Sequence, residues 1–195
     1  MSARIVLLGP PGAGKGTQAA RLAQELGVEA ISTGDIFRAN IKGGTELGRL
    51  AQEYTAKGEL VPDSVTNAMV KDKLTSMVGE DPARLGFILD GYPRNVAQVA
   101  ELDNILEEIG VTVDGAVELT ADNDIVVERL LKRAEIEGRQ DDTEPVIRHR
   151  LDVYAQQTAP IAQVYLERGR LVQVDGIGDI DEVTARLIKS LEQLG

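Results

Sequence analysis

The sequence predicts an α/β protein built in three layers, a five-stranded parallel sheet with helices on both faces. Five short apolar runs bounded by turns alternate with longer stretches whose apolar residues recur at helical spacing. The short runs are too uniformly apolar to leave one face of a sheet in water, which favours a parallel sheet buried on both sides. The strands are predicted at residues 4–8, 29–32, 86–90, 115–119 and 171–175.

Length and composition exclude several classes of function. The 195 residues give room for one domain, 1–195, and 32 acidic against 21 basic residues argue against an extended nucleic-acid-binding surface. With no cysteine, a disulfide framework, a cysteine nucleophile and a thiolate zinc site are excluded, and the single His149 excludes a histidine metal cluster. No apolar run is long enough for a signal peptide or a membrane span, so we expect a cytoplasmic protein without a membrane partner.

The strongest motif follows the first strand, where GPPGAGKGT occupies residues 9–17 and a helical run covers 18–26. This glycine spacing before Lys15 is that of a phosphate-binding loop, in which backbone N–H groups and the helix N-terminus surround an anion. The alternative is an ordinary Gly/Pro turn between strand and helix. Gly16 stands where the common motif has a magnesium-binding Ser or Thr, and Thr17 comes one residue later.

The second strand ends in STGDIFR, residues 32–38, and opens a long segment, 34–85, which is predicted to hold several helices. A simple crossover needs far fewer residues, so we expect an inserted helical subdomain. A hydroxyl of Ser32 or Thr33, together with Arg38, could face a ligand. The equally acceptable alternative is that Ser32, Thr33 or Asp35 caps the following helix.

The third strand ends in Asp90, followed by Gly91 and, three residues later, Arg94. A carboxylate at the end of a strand beside a phosphate loop is where the Mg²⁺ of a nucleotide, or its water shell, is usually held. Asp90 is therefore the magnesium candidate, with a helix cap or turn acid as the alternative. Arg94 is either a phosphate ligand or a solvated surface charge.

Residues 128–150 contain six basic and six acidic side chains and include a short polar flap predicted at 134–143. One interpretation is a helical pair with surface ion pairs, each worth about 0–1 kcal/mol. The other is that several arginines bind phosphates while Asp141 and Asp142 organise the flap.

The last helix is predicted from an apolar stripe that begins at Ile180, behind a possible Asp179 cap.

Taken together, these segments resemble the adenylate kinase family over nearly the whole chain. The resemblance rests on GPPGAGKGT (9–17), STGDIFR (32–38), FILDGYPRNVAQ (87–98), the arginine-rich region 129–150, QTAPI (157–161) and VDG (174–176). The loop of this family also has Gly after the lysine. The resemblance implies reversible phosphoryl transfer from MgATP to AMP, giving two ADP, by a monomer with the P-loop three-layer fold. It further implies a mobile AMP-binding insertion at 32–61 and a short lid at 133–139, too short for the zinc site of some members.

The resemblance also implies roles for individual residues. The ATP-binding set is Gly12, Ala13, Gly14, Lys15, Gly16, Thr17, Arg129, Arg133 and Gly178. The AMP-binding set is Thr33, Arg38, Glu59, Leu60, Val61, Gly91, Tyr92, Arg94, Gln98, Arg139 and Arg150. The catalytic set is Lys15, Arg94, Arg129, Arg139 and Arg150, and Asp90 holds Mg²⁺ through water.

Three other functions are compatible with the phosphate loop. A UMP/CMP kinase shares the loop and the arginines, but Thr33 and Gln98 speak against it because those kinases typically have Ala and Asn there. The Gln98 carboxamide could pair with the acceptor and amino groups on one edge of adenine. A nucleotide-dependent switch would leave the arginine-rich flap unexplained, and the chain has no Asn-Lys-x-Asp motif for guanine. A catalytically weakened scaffold is the third, although no expected phosphate-binding position is lost.

Overall fold

The computed structural model describes residues 3–56, 61–138 and 143–194. Its sheet has five parallel strands in the order β2-β3-β1-β4-β5. The strands are β1 (Arg4–Leu8), β2 (Glu29–Ser32), β3 (Phe87–Asp90), β4 (Gly115–Thr120) and β5 (Leu171–Asp175). The predicted fold class is confirmed, and each predicted strand agrees with the observed one to within one residue at either end.

Helices occupy the connections between the strands. They are α1 (Lys15–Leu26), α2 (Thr33–Lys42), α3 (Glu46–Ala56), α4 (Asp63–Met77), α5 (Val96–Ile109), α6 (Asn123–Glu137), α7 (Glu144–Glu167) and α8 (Ile180–Leu191), and a 3₁₀ turn lies at Pro82–Arg84. Three of them, α2 to α4, lie between β2 and β3, which accounts for the excess length predicted there. The side chain of Asp179 caps α8 as predicted, accepting a hydrogen bond from the backbone N–H of Asp181 (3.4 Å).

The central strand β1 shows how the sheet separates two cores. Val6 and Leu8 are buried on one face, against helices α2 to α5 and α7. Ile5 and Leu7 are buried on the other face, against α1 and α8. A strand covered on both faces has no side for polar residues, which is why the inner strands β1 and β3 are apolar over residues 5–8 and 87–89. The edge strands β2 and β5 are less covered and expose Glu29 and Gln173.

Two predicted boundaries differ from the structure. Helix α1 begins at Lys15 rather than Gln18, because the glycine-rich loop leads directly into its first turn. The predicted flap at 134–143 was wrong for its first part, since α6 continues to Glu137 and ends at Gly138, which has a left-handed φ of 66°. Ala134 is buried and extends the apolar stripe that contains Val126 and Leu130, which keeps this segment helical.

Among the helices that the structure describes, none combines the length and the apolar character that crossing a bilayer requires.

Two tyrosines in the larger core differ in how their hydroxyls are satisfied. Tyr92 is 1% exposed, and its hydroxyl donates a hydrogen bond to Asn67 Oδ1 (2.7 Å). Tyr165 is 0% exposed, and within the described chain its hydroxyl has no partner. Burial, followed by nearby carboxylates, raises the pKa of both hydroxyls above the ordinary 10.0. The unpaired hydroxyl of Tyr165 is therefore a cost to folding.

Replacing Tyr165 with Phe should raise the free energy of unfolding by about 1 kcal/mol, because it removes a buried, unpaired hydroxyl. Tyr92→Phe is the matched control and should lower the free energy of unfolding, because Asn67 Oδ1 loses the hydrogen bond that the Tyr92 hydroxyl donates. Below about pH 10 the tyrosine is protonated in both states; above it the unfolded tyrosine ionises while the folded one, whose pKa is raised, does not, so the free energy of unfolding falls as pH rises. Urea unfolding should show a smaller alkaline loss for Tyr165→Phe; a destabilised variant would mean that the hydroxyl has a partner.

Candidate active site

The phosphate loop joins β1 to α1 at the carboxyl end of the sheet. Gly12 and Gly14 have φ values of 81° and 85°, a left-handed conformation that favours glycine. An added Cβ at Gly12 would lie 2.8 Å from Leu130 Cγ on α6, so this position is also too crowded for a side chain. Helix α1 starts at Lys15, immediately after the loop, so its positive N-terminus faces the loop. The strand, loop and helix of an anion site are all present.

Lys15 and Asp90 form an ion pair beside this loop. Lys15 Nζ lies 3.3 Å from Asp90 Oδ1, and the two side chains are 23% and 16% exposed. The pair forms because β1 and β3 are neighbours, with Leu7 opposite Asp90 in the register. Asp90 is not the cap of the next helix, since Asn95 caps α5 with its own side chain. The carboxylate predicted at a metal position therefore faces the loop.

The ends of β2 and β3 are joined through the carbonyl oxygen of Gly91. Thr33 Oγ1 donates a hydrogen bond to it (3.2 Å), and Arg94 Nε donates another (2.9 Å). Ser32 is the N-cap of α2 but makes no side-chain capping bond, and the Asp35 carboxylate pairs with Arg38, so side-chain capping does not account for this segment. Gly91 has a φ of 82°, and a Cβ there would lie 2.9 Å from Thr33 Oγ1. These contacts fix Arg94 at the end of the sheet.

Gln98 is buried rather than on the helix surface, with 4% of its area exposed. Its Oε1 accepts a hydrogen bond from the backbone N–H of Arg94 (2.7 Å). Its Nε2 donates one to Asp63 Oδ1 (2.9 Å). Sequence spacing placed Gln98 near Arg94, but Asp63, which is 35 positions away, gave no sequence signal.

A cleft of about 310 Å³ joins the phosphate loop, the end of β3 and helix α7, while Asp90, Thr33 and Gln98 are not among its lining residues. The loop with Lys15 forms one wall, Gly91 and Arg94 follow β3, and helix α7 contributes Arg150. Helix α7 also contributes side chains to which the sequence analysis gave no role, namely His149, Val153, Tyr154, Gln157 and Thr158. Val153, Tyr154, Gln157 and Thr158 lie three, four, seven and eight residues after Arg150, a spacing that marks one helix face and is the signal that could have found them. Burial, and then Glu118, raises the pKa of Tyr154, so its hydroxyl stays protonated.

The arginine-rich region divides between the two interpretations. Arg148 is a surface ion-pair residue, 3.0 Å from Glu144 and 3.1 Å from Asp124, and these carboxylates raise its pKa. Arg150, two residues later, lines the cleft. Arg129 and Arg133 lie on α6. Arg129 is half-buried and Arg133 is exposed, and neither forms an ion pair within the described ranges.

The remaining predicted residues are less close to the cleft or cannot be placed. Arg38 is exposed and paired with Asp35. The Tyr92 side chain is in the core, Val61 packs against the same core, and Gly178 is exposed after β5. The rest lie outside the described residues: Glu59, Leu60, Arg139, Asp141 and Asp142.

Comparison with known proteins decides the family. A family model described as adenylate kinase matches residues 7–170. The chain belongs to the adenylate kinase family. It is 64% identical over 190 residues to an adenylate kinase of Kocuria rhizophila, which covers 97% of this chain and 99% of that protein. Adenylate kinases of Thermobifida fusca and Nocardioides are 54% and 53% identical over 189 residues, covering 97% of this chain and 98% and 97% of theirs. The family resemblance drawn from the motifs is confirmed.

Lys15→Met should reduce kcat by on the order of a thousandfold, because it removes the one charged side chain of the phosphate loop, residues 9–17. Circular dichroism and the melting temperature should show an intact fold. Lys189→Met, an exposed position in the last turn of α8, is the control and should behave as wild type. A folded Lys15→Met variant that keeps more than about a tenth of kcat would show that the loop lysine is not catalytic.

Proposed function

We propose that the cleft between the phosphate loop, Arg94 and Arg150 is the place where two nucleotides exchange a phosphoryl group. As an adenylate kinase, the protein transfers the terminal phosphoryl group of ATP to AMP and gives two ADP, and the reaction is reversible. The observation that carries the proposal is the cleft itself, because it places Lys15 and two arginines around one space of about 310 Å³.

The chemistry agrees with these side chains. The acceptor phosphate of AMP is already an anion, so no strong general base is needed. The difficulty is to bring two polyanions into line and to spread the charge of the transferred group, which lysine and arginine can do. Cationic side chains around the cleft are therefore what this reaction requires.

The ATP phosphates would lie on the loop, residues 12–17, with Lys15 following the transferred group. Gly178 would lie on the same side of the cleft, and Arg129 and Arg133 would reach it from α6. The family resemblance supports these roles, and the position of the loop at the start of α1 supports the first of them.

AMP would lie across the ends of β2 and β3. Arg94 and Arg150 would hold its phosphate, and Gln98 its base, beside Thr33 and Gly91. Arg38 would also contact the AMP phosphate once its ion pair with Asp35 breaks. That pair is exposed and worth about 0–1 kcal/mol, so a phosphate can replace it. The resemblance adds Glu59, Leu60, Val61, Tyr92 and Arg139 to this site.

Adenylate kinases use ATP with a divalent metal, and we propose that the metal here is Mg²⁺. Asp90 fits this role, because Mg²⁺ binds through one or two carboxylates and keeps phosphate oxygens and waters as its other ligands. When bound, the ion neutralises charge on the ATP phosphates. Asp90 would face its water shell, and Lys15 would leave Asp90 for the phosphates.

No group of three or more acidic or histidine side chains that could hold a metal occurs among residues 3–56, 61–138 and 143–194, and we propose no structural zinc.

We further propose that the insertion, 32–61, and the short lid, 133–139, close over the bound nucleotides. Water is the competing acceptor, so a site that closes only over both substrates prevents loss of ATP by hydrolysis. We propose a monomer, as the family resemblance implies, and the net charge of −11 supports the absence of a nucleic-acid partner. We place the protein in the cytoplasm, without a membrane partner. No observation favours a pyrimidine kinase, a switch or a weakened scaffold.

The proposed site is tested by incubating the purified protein with MgADP alone and following the nucleotides by chromatography. Equal amounts of ATP and AMP should form, because each turnover moves one phosphoryl group from one ADP to another. The Lys15→Met variant, purified in the same way, is the blank for contaminating kinases. Release of AMP and inorganic phosphate, or no reaction, would contradict the assignment.

A further inference from the structure

The carboxamide of Gln98 is held at both ends by other parts of the chain. The backbone N–H of Arg94 donates to its oxygen (2.7 Å), and its nitrogen donates to Asp63 Oδ1 (2.9 Å). The second oxygen of Asp63 accepts a hydrogen bond from Asn95 Nδ2 (3.0 Å). Asn95 in turn accepts one from the backbone N–H of Gln98 (2.8 Å). Asp63, the first residue of α4, is therefore the hub that ties α4 to the start of α5.

These partners determine which end of the amide is oxygen. A backbone N–H can only donate and a carboxylate can only accept, so the amide oxygen must face Arg94 and the nitrogen must face Asp63. A flipped amide would direct its N–H groups at another N–H and its carbonyl at a carboxylate. Gln98 is buried, so water cannot readily replace the two lost bonds.

The fixed amide still has hydrogen-bonding capacity for a ligand. An amide nitrogen has two hydrogens and an amide oxygen accepts two bonds, and one of each is used here. A base that pairs with the amide edge holding both groups would meet an acceptor and a donor in the order that Arg94 and Asp63 set. Adenine presents an acceptor at its ring nitrogen and a donor at its amino group, which matches this order. A 6-oxopurine presents a ring N–H and a carbonyl, the reverse order.

We propose that Asp63 is a specificity-determining residue, which orients Gln98 so that a 6-aminopurine monophosphate is accepted and a 6-oxopurine monophosphate is rejected. Asp63 acts through Gln98 and is a positioning residue. The inference rests on the proposed placement of the AMP base at Gln98. Without Asp63, the Arg94 N–H alone opposes the flipped amide, so turning Gln98 over to pair with a 6-oxopurine costs one hydrogen bond instead of two.

The alternative for Asp63 is a purely structural role. It lies in the first turn of α4, where a carboxylate stabilises the helix through its dipole. Such a role would change stability, and it would change the use of all acceptors alike. A ratio between two acceptors separates the two roles, because it cancels any general loss of activity.

The experiment compares AMP with inosine monophosphate, a 6-oxopurine, as acceptors for MgATP by kcat/KM. Wild type should prefer AMP by about a hundredfold or more, because two polar contacts are lost with the oxopurine. Asp63→Asn should reduce this preference by about tenfold, since an asparagine can turn over together with Gln98. The melting temperature and the KM for MgATP should remain near wild type. Asp72→Asn, an exposed acid on the same helix, is the control and should keep the full preference.

Gln98→Ala separates the two ways in which the inference can fail. If wild type shows no preference, or Gln98→Ala keeps it in full, Gln98 does not contact the base and the proposed placement of AMP fails. If Gln98→Ala loses the preference while Asp63→Asn keeps it, the placement stands and the role of Asp63 is overturned. In the double variant, Asp63→Asn should have no further effect on the ratio. Should Asp63→Asn not fold, Asp63→Ser gives the same comparison.

Discussion

The side-by-side position of β1 and β3 is the constraint on which the active site depends. Parallel pairing with Leu7 opposite Asp90 brings the phosphate loop after β1 next to the carboxylate at the end of β3. Lys15 then meets Asp90 at 3.3 Å, and each charge is balanced in a partly buried place. A phosphate group arriving at the loop can take the place of the carboxylate, so the pair keeps the site ready for an anion.

The second half of the site depends on the loop after β3. Gly91, Arg94 and Gln98 are connected through the Gly91 carbonyl and the Arg94 N–H, so the residues proposed for phosphate and base form one unit. Asp63 attaches this unit to α4, and thereby to the insertion. A phosphate contact at Arg94 and a base contact at Gln98 would then be set at a fixed separation. Selectivity for the nucleotide is in this view a property of a small hydrogen-bond network rather than of one side chain.

The sequence predicted those parts whose signal is local. Buried parallel strands require apolar runs, and a phosphate loop requires its glycines and Lys15, so both were visible without the structure. The start of α1 was misplaced because a glycine-rich loop has no capping residue to mark it. The continuation of α6 to Glu137 was missed because its last turn buries only Ala134, while two glutamates and Ile136 are exposed and give no buried stripe.

Contacts between distant residues could not be predicted in the same way. Asp63 and Gln98 are 35 positions apart and meet only because α4 packs beside α5. The cleft face of α7 was hidden because its polar residues, such as Gln157, are as typical of a solvent-exposed helix face. The division between Arg148 in a surface pair and Arg150 in the cleft also depends on which way the helix faces, which composition does not encode.

The most direct test of this account is a crystal structure with a bisubstrate analogue, two adenosines joined through five phosphates. We predict that the phosphate chain occupies the cleft, that Lys15 Nζ has left Asp90 for phosphate oxygens, and that Arg94 and Arg150 hold the other end of the chain. One adenine should lie at Gln98. An analogue bound elsewhere, or a Lys15–Asp90 pair that remains intact beneath it, would contradict the proposed site.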